Sequence, residues 1–158
     1  MDHDKALRKH LVNLLTKAEA HADFEKAVKG LAPELRGQTP PGAEHSAWEL
    51  VEHIRITLWD ILDFSRNPEY KEREWPAAYW PTPTENVSDA AWDKSIEGYR
   101  GTLKEMCDLV TDESTDLFAK IPHGDGQTVL REAMLAADHT SYHVGQLVLV
   151  RRLLGAWG

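Results

Sequence analysis

The chain has 158 residues, of which 42% are hydrophobic and 28% charged, and this balance suits one domain with its own core. Its formal net charge of -8 argues against partners rich in phosphate, namely nucleic acid and an anionic membrane surface. No apolar run reaches the roughly 20 residues that cross a bilayer, no signal-peptide pattern opens the chain, and the single cysteine, Cys107, excludes an internal disulfide and a Cys-based zinc cluster.

These limits predict a cytoplasmic protein with one domain, residues 1–158, whose first periodic segment runs from about Asp2 to about Gly30. Gly30 and Pro33 are typical helix-stop residues. The apolar positions of this segment recur every three or four residues and are Leu7, Leu11, Leu14, Ala18, Ala22 and, further on, Val28. The pattern predicts one long first helix.

A second helix is predicted to begin after Ser46 and to end at Asn67-Pro68. Ser46 and Glu49 have the spacing of a capping box, in which the serine oxygen accepts from a backbone amide and the glutamate reaches back. The apolar stripe of this helix is Ala47, Leu50, Val51, Ile54, Leu58, Ile61 and Leu62. His53 lies at the edge of that stripe, about two turns from the helix start.

The stretch from about Asn67 to about Val87 contains four prolines and is long for a connection in a compact domain. An irregular segment of this length usually crosses the bundle or covers a site. Its aromatic residues are Trp75, Tyr79 and Trp80.

The third predicted helix begins near Ser88. An irregular connection, residues 112–127, follows it and leads to a fourth helix from about Thr128 to about Leu154. The fourth helix is the most apolar, so we place it most centrally. We expect one shared core to contain Trp92, Tyr99, Leu103 and Met106 of the third helix and Val129, Met134, Val150 and Leu153 of the fourth. No segment alternates with period two, so the expected fold is an all-α four-helix bundle with long connections.

His139 and His143 are four residues apart on the fourth helix, which stacks their imidazoles on one face. Two imidazoles at this spacing can bind one metal ion, although surface pairs also arise by chance. The row that contains them is largely apolar, so we expect it to face the interior. His53 is the best-placed third ligand by depth along its helix. His21 is a candidate for a fourth ligand. A hydrogen-bonded histidine at the core boundary is the alternative interpretation of His53.

His53 on the second helix and the run Asp138-His139-Thr140-Ser141-Tyr142-His143-Val144-Gly145-Gln146 on the fourth resemble the DinB/YfiT-like superfamily. The pattern of that family is one histidine on the second helix and a His-x-x-x-His-x-Gly-Gln motif on the last. The runs Glu44-His45-Ser46-Ala47-Trp48 and Leu130-Arg131-Glu132 are similar to a subgroup of it. The resemblance implies a four-helix bundle, a three-histidine metal site at His53, His139 and His143, and a homodimer. For the ion we expect Zn or Ni, with Fe and Mn as alternatives.

Other residues are candidates for supporting roles. Gln146, one turn past His143, can hydrogen-bond a ligand imidazole, or it can be a polar residue at a helix interface. Asp60, seven residues after His53, can support the site or be a solvated acid. Gly145 suggests the close approach of a neighbouring helix. The residues Trp48, Tyr79, Trp80 and Tyr142 can wall a substrate pocket or anchor loops on the bundle.

Three neutral imidazoles leave a coordination position open on a divalent ion, as in catalytic rather than structural zinc sites. Such a site suits hydrolysis or the activation of a low-molecular-weight thiol for transfer, and the superfamily implies that range. We therefore expect a metal-dependent enzyme with a small-molecule substrate. The alternative is a non-catalytic, metal-binding stress-response or dimerisation module, which a fourth protein ligand such as His21 would favour.

Overall fold

The computed structural model of this protein describes residues 3–17 and 19–158. Over these residues the fold is all-helical, as predicted, and its only strand-like feature is an isolated antiparallel bridge between Lys120 and Thr128. No helix in this part of the chain is long and apolar enough to cross a membrane. The helices are α1 (His3–Thr16), α2 (Phe24–Val28), α3 (Ala47–Arg66), α4 (Asp89–Thr111) and α5 (Val129–Leu153), with 3-10 turns at Pro33–Leu35 and Ala77–Tyr79.

The prediction of one long first helix is wrong. The first helix ends at Thr16, and the short helix α2 begins at Phe24. Asp23 caps this new start, because its carboxylate accepts a hydrogen bond from the Lys26 amide at 2.7 Å. The break lets α2 pack across α5, which a continuous helix could not do. Among the positions of the predicted stripe, Leu14 is exposed, and Asp2 and Ala18 lie outside the described residues.

The predicted starts of the other three helices are confirmed by their caps. Ser46 and Glu49 form the complete capping box, in which the glutamate accepts from both the amide and the hydroxyl of Ser46. Ser88 caps α4 and Thr128 caps α5 without a reciprocal glutamate: the hydroxyl oxygens accept from the amides of Ala91 and Arg131. Local hydrogen bonding therefore fixes where each long helix begins.

The core lies where α3 packs between α4 and α5. It includes Leu50, Ile54, Leu58 and Leu62 from α3, Trp92, Tyr99 and Met106 from α4, and Ala133, Val144, Leu147 and Val150 from α5. Helix α5 contacts all four other helices, yet one of its faces stays in solvent. Met134 and Leu153, which we expected in the shared core, are 52% and 49% exposed. Apolar residues surround most of α5, so its composition does not identify the buried face.

The long segment that follows α3 lies along that helix and brings the 3-10 turn Ala77–Tyr79 against it. Tyr79 is buried, whereas Trp75 in the same segment is 71% exposed. The segment therefore covers part of the bundle, as its length predicts, and Tyr79 is one of the residues that attach it.

Candidate metal centre

The fold brings together the three histidines that the sequence singles out. His53 lies on α3, and His139 and His143 lie one turn apart on the face of α5 that packs towards it. The Nε2 atom of His53 is 3.1 Å from Nε2 of His139 and 3.2 Å from Nε2 of His143. All three ligand atoms lie within 4.8 Å of one another, and no carboxylate or thiol of the described residues joins the group.

Neighbouring groups fix which nitrogen of two imidazoles carries the proton. Nδ1 of His53 lies 2.8 Å from the carbonyl oxygen of Tyr79, and because that oxygen only accepts, Nδ1 donates. Nδ1 of His143 donates in the same way to Oε1 of Gln146 at 2.7 Å. In the neutral state both Nε2 atoms therefore carry lone pairs, and these face each other at 3.2 Å.

This arrangement fits a cation better than it fits a hydrogen bond. Two nitrogen lone pairs at this distance repel each other unless a positive charge lies between them. Nitrogen donors about 2.05 Å from a tetrahedral ion are about 3.3 Å apart, close to the separations from His53. A hydrogen-bond acceptor behind each ligand nitrogen is the usual arrangement in histidine metal sites, because it fixes the tautomer and raises ligand basicity.

Burial keeps the cluster neutral at physiological pH. Loss of hydration, reinforced by the positive charge that a neighbouring imidazole would carry, lowers the pKa of His53 to about 4 and that of His139 to about 3. Burial also lowers the pKa of His143, although the hydrogen bond to Gln146 opposes the shift. Metal ions bind the neutral form of imidazole, so the site is ready for a metal without first losing protons.

The ring of Trp80 covers one face of His53. The two rings are stacked with centroids 3.9 Å apart, and His45 stacks on the same indole at 3.9 Å. From sequence, Trp80 is predicted as a pocket residue, and the structure places it against a candidate ligand. We expect His45, because it lies in a loop, to be solvated; it is instead half-buried. The one sequence feature that indicates the burial of His45 is its position directly before Ser46, at the start of α3.

Asp60 is connected to His53 through Tyr79. Its carboxylate is buried and accepts a hydrogen bond from the Tyr79 hydroxyl at 2.7 Å, with the Tyr70 hydroxyl at 3.3 Å and the Arg73 guanidinium nearby. Burial raises the pKa of Asp60, while the two tyrosine hydrogen bonds oppose this shift. Tyr79 thus links Asp60 to His53: its hydroxyl binds the acid and its carbonyl binds the imidazole.

The remaining candidates divide into those near the histidines and those elsewhere. The ring of Tyr142 meets His143 edge-on at 4.9 Å but is 64% exposed, so it lies at the outer edge of the cluster. Trp48 is not part of the cluster, because it lines a separate surface depression with Glu52 and Arg55. His21 is also elsewhere: it is exposed and lies outside the three-histidine group.

The close approach expected at Gly145 does not occur inside the described chain. A Cβ atom built on this residue would have no neighbour within 4 Å, and the residue is exposed. No helix of the bundle therefore requires a glycine here.

Comparison with known families agrees with the geometry. A family model described as the DinB superfamily matches residues 18–147, a range that contains all three histidines. Neither the curated proteins nor the solved structures include a significant match to this chain.

Proposed function

Since this chain belongs to the DinB superfamily, we propose that His53, His139 and His143 hold one divalent metal ion and that the site serves a small-molecule enzyme. The observation that carries the proposal is the convergence of three Nε2 atoms, with the rings of His53 and His143 oriented from behind by Tyr79 and Gln146. Zn and Ni suit three imidazoles best, and Fe and Mn are alternatives.

A divalent ion with three imidazole ligands keeps one position for water or a thiol and lowers the pKa of the group bound there. The protein supplies the neutral ligands, the hydrogen bonds that orient them, and a cover on one side from the indole of Trp80. The three histidines bring no negative charge, so the full charge of the ion remains to act on a substrate.

Hydrolysis and thiol transfer both fit this site. The chain does not supply the thiol itself, because burial raises the pKa of the Cys107 thiol and this residue belongs to α4, outside the three-histidine group. A transferase would therefore use a low-molecular-weight thiol as its second substrate. With a thiol at the open position the site would catalyse transfer of a group to that thiol. With water there it would catalyse hydrolysis.

A non-catalytic metal-binding module is the second candidate. The feature in favour of it is the cover on His53, since Trp80 and the 3-10 turn close one side of the cluster. A fourth protein ligand would strengthen this alternative, and His21, the candidate from sequence, lies elsewhere. Three ligands rather than four favour the enzyme.

Metal analysis and calorimetry of untagged protein test the proposal. Wild-type protein is expected to bind one equivalent of Zn or Ni, and His139→Ala and His143→Ala to abolish stoichiometric binding. His53→Ala should weaken it strongly, and His21→Ala, on an exposed residue, should leave it unchanged. Unaltered affinity in a His139→Ala/His143→Ala double variant would rule out the site.

The metal-loaded protein is then assayed against ester and amide substrates, with and without low-molecular-weight thiols. Turnover that requires both the metal and a thiol supports the transferase, and turnover that requires the metal alone supports the hydrolase. Stoichiometric metal without turnover in either set supports the non-catalytic module. We further propose that the protein forms a homodimer, which sedimentation equilibrium at micromolar concentration tests independently of metal content.

A further inference from the structure

The outward side of α5 carries an unusual amount of exposed apolar surface. Met134, Tyr142, Leu149 and Leu153 are 52%, 64%, 53% and 49% exposed. At 100° per residue these four side chains lie within an arc of about 100° of the helix, opposite the buried residues. Gly145 is exposed on the same side, near its centre.

The residues along the middle of this side follow the spacing of a helix-pairing seam. They are Asp138, Tyr142, Gly145, Leu149 and Arg152, with steps of four, three, four and three residues. We call these five residues the α5 seam. A repeat that averages 3.5 residues keeps one line of side chains facing a partner helix over several turns. The seam extends over 14 residue steps, or about 21 Å.

The order of residues in the α5 seam is self-complementary about Gly145. An antiparallel copy centred on this residue brings Asp138 of each helix opposite Arg152 of the other, because both lie seven residues from the centre. Tyr142, three residues from the centre, then lies within about 1.5 Å along the axis of Leu149 of the other copy, which is four residues from it, so these two side chains pack on both sides of the axis. A parallel pairing would instead put acid against acid and base against base.

Two observations show that this side lacks its partner within the bundle. The Asp138 carboxylate and the Arg152 guanidinium are exposed and form no ion pair in the part of the chain that the structure describes. Gly145 weakens α5 by standing inside the helix, and nothing in the described chain lies within 4 Å of where its Cβ would be. Glycine is suited to a close crossing of two helices. Since no described residue of this chain approaches Gly145, the helix that would cross there belongs to another molecule.

We infer that two copies of this chain pair antiparallel through the α5 seam, with the two-fold axis passing at Gly145. Met134 and Leu153 flank the seam and enlarge the buried apolar area towards that of a stable interface. This inference rests on the homodimer proposed above and does not depend on a bound metal. It also places a partner beside Tyr142, which contacts His143, so that the second copy covers the outer edge of the histidine cluster.

Another glycine supplies a matched control. Gly101 also lies inside a helix, α4, and a Cβ added to it would likewise have no neighbour within 4 Å, but the adjacent residues on that face are the charged Glu97, Lys104 and Asp108. Replacing either glycine with glutamine should favour the monomer fold, because glutamine is a better helix former. Only Gly145→Gln places a side chain in the proposed contact.

Sedimentation equilibrium of the metal-free and metal-loaded protein measures the effect. Gly145→Gln and Leu149→Glu should each raise the dimer dissociation constant at least tenfold, and Gly101→Gln should not change it. Asp138→Arg and Arg152→Asp should each weaken the dimer, and the double variant should restore it, because the pairs are re-formed with the charges exchanged.

Cysteine cross-linking in a Cys107→Ser background tests the antiparallel register. Asp138→Cys and Arg152→Cys should form a disulfide-linked dimer only when the two proteins are mixed. Cross-linking of Asp138→Cys to itself would overturn the register. A monomeric wild type would overturn both the interface and the proposed homodimer. A dimer that none of these variants weakens would overturn the interface and leave the homodimer intact.

Discussion

The imidazole of His53 lies flat against the indole of Trp80, with centroids 3.9 Å apart and planes inclined by only 1°. The backbone carbonyl of the preceding residue, Tyr79, accepts a hydrogen bond from Nδ1 of the same imidazole. Two consecutive residues of one segment therefore fix both the ring plane and the tautomer of His53. A ligand held in this way loses little freedom when it binds an ion.

Replacement of Trp80 should weaken metal binding. Trp80→Ala removes the stacking partner of His53 and admits water to the covered side, so we expect a 10- to 100-fold loss of Zn affinity, the range seen when the support of a ligand is removed. Trp80→Phe keeps a flat ring and should recover most of the affinity. Phe118→Ala, at an exposed position of the connection before α5, is the control and should have no effect. Competition with a chromogenic chelator measures all three.

The link from Asp60 through Tyr79 gives a second prediction. Tyr79→Phe removes the 2.7 Å hydrogen bond to Asp60 but keeps the backbone carbonyl that binds His53. We expect about a tenfold loss of metal affinity, because the 3-10 turn is less firmly attached to α3. Asp60→Asn retains an acceptor oxygen and should have a smaller effect.

Tyr70→Phe controls for the second prediction, because the Tyr70 hydroxyl is 3.3 Å from the same carboxylate but its backbone does not contact His53. It should leave the metal affinity within a factor of two of wild type. Equal losses for Tyr70→Phe and Tyr79→Phe would show that the charge of Asp60, rather than the position of the turn, matters to the site. Nuclear magnetic resonance of the His53 Nδ1 proton reports on the hydrogen bond directly.

The low pKa values of the cluster predict how stability depends on pH. Without metal, the unfolded chain takes up protons on these histidines below about pH 6.5, whereas folded His53 and His139 resist protonation until about pH 4 and about pH 3. The free energy of unfolding should therefore fall as the pH is lowered from about 7 to about 4.

Urea unfolding in a chelator at pH 7.5, 6.0 and 5.0 measures this dependence. His139→Gln should flatten it, and His10→Gln, at an exposed position, should not. Saturating Zn should add nearly the same stability at pH 7.5 and at pH 6.0, because His53 and His139 of the folded chain are already neutral at both. A pH dependence that is identical in wild type and His139→Gln would contradict the assignment of these shifts.

The sequence predicts the parts of this molecule that depend on local patterns. The capping box of Ser46 and Glu49, the i, i+4 spacing of His139 and His143 and the family motif each lie within a few residues, and each is found as expected. Matching His53 to the pair on α5 rested on two cues: its depth along the helix, which follows from the cap and the rise per residue, and the family pattern of one histidine on the second helix.

Two features could not be predicted from the sequence: the hydrogen-bond acceptor of His53 and the position of α2. Both depend on main-chain atoms or on contacts between residues distant in the chain. The acceptor for His53 is a backbone carbonyl, and any residue at position 79 would carry one. The break between Thr16 and Phe24 is equally hidden, because the apolar spacing continues through it. Contacts distant in the chain hold α2 in its separate position, among them the hydrogen bond from Arg151 to the carbonyl of Ala27, 124 residues away, and the stacking of Phe24 on Tyr99.

Arg151 on α5 joins two further segments of backbone. Its guanidinium donates to the carbonyls of Ala27 and Lys29 at the end of α2, at 2.6 and 3.0 Å, and to the carbonyl of Ala156 at 2.7 Å. The side chain is buried, lies over the ring of Trp157 and has a pKa that burial lowers. Ala27 and Lys29 lie at the C-terminal end of α2, where carbonyls lack a helical donor, and Ala156 follows the end of α5, so Arg151 provides hydrogen bonds that these helix-end and post-helix carbonyls need.

Arg151→Met should accordingly be the most destabilising of these substitutions. Methionine fills much of the same space but leaves the carbonyls of Ala27, Lys29 and Ala156 without this donor, and we expect a loss of about 3 kcal/mol in the free energy of unfolding. Arg100→Met is the matched control, because Arg100 forms an exposed ion pair with Glu25 and its removal should cost under about 1 kcal/mol. Urea unfolding at pH 7 measures both losses, and equal losses would contradict the role of Arg151.

In the Arg151→Met variant, helix α2 should detach first, which amide hydrogen exchange would show as faster exchange over Phe24–Val28. The histidine cluster should keep its affinity for metal, because α3 and α5 still pack against each other.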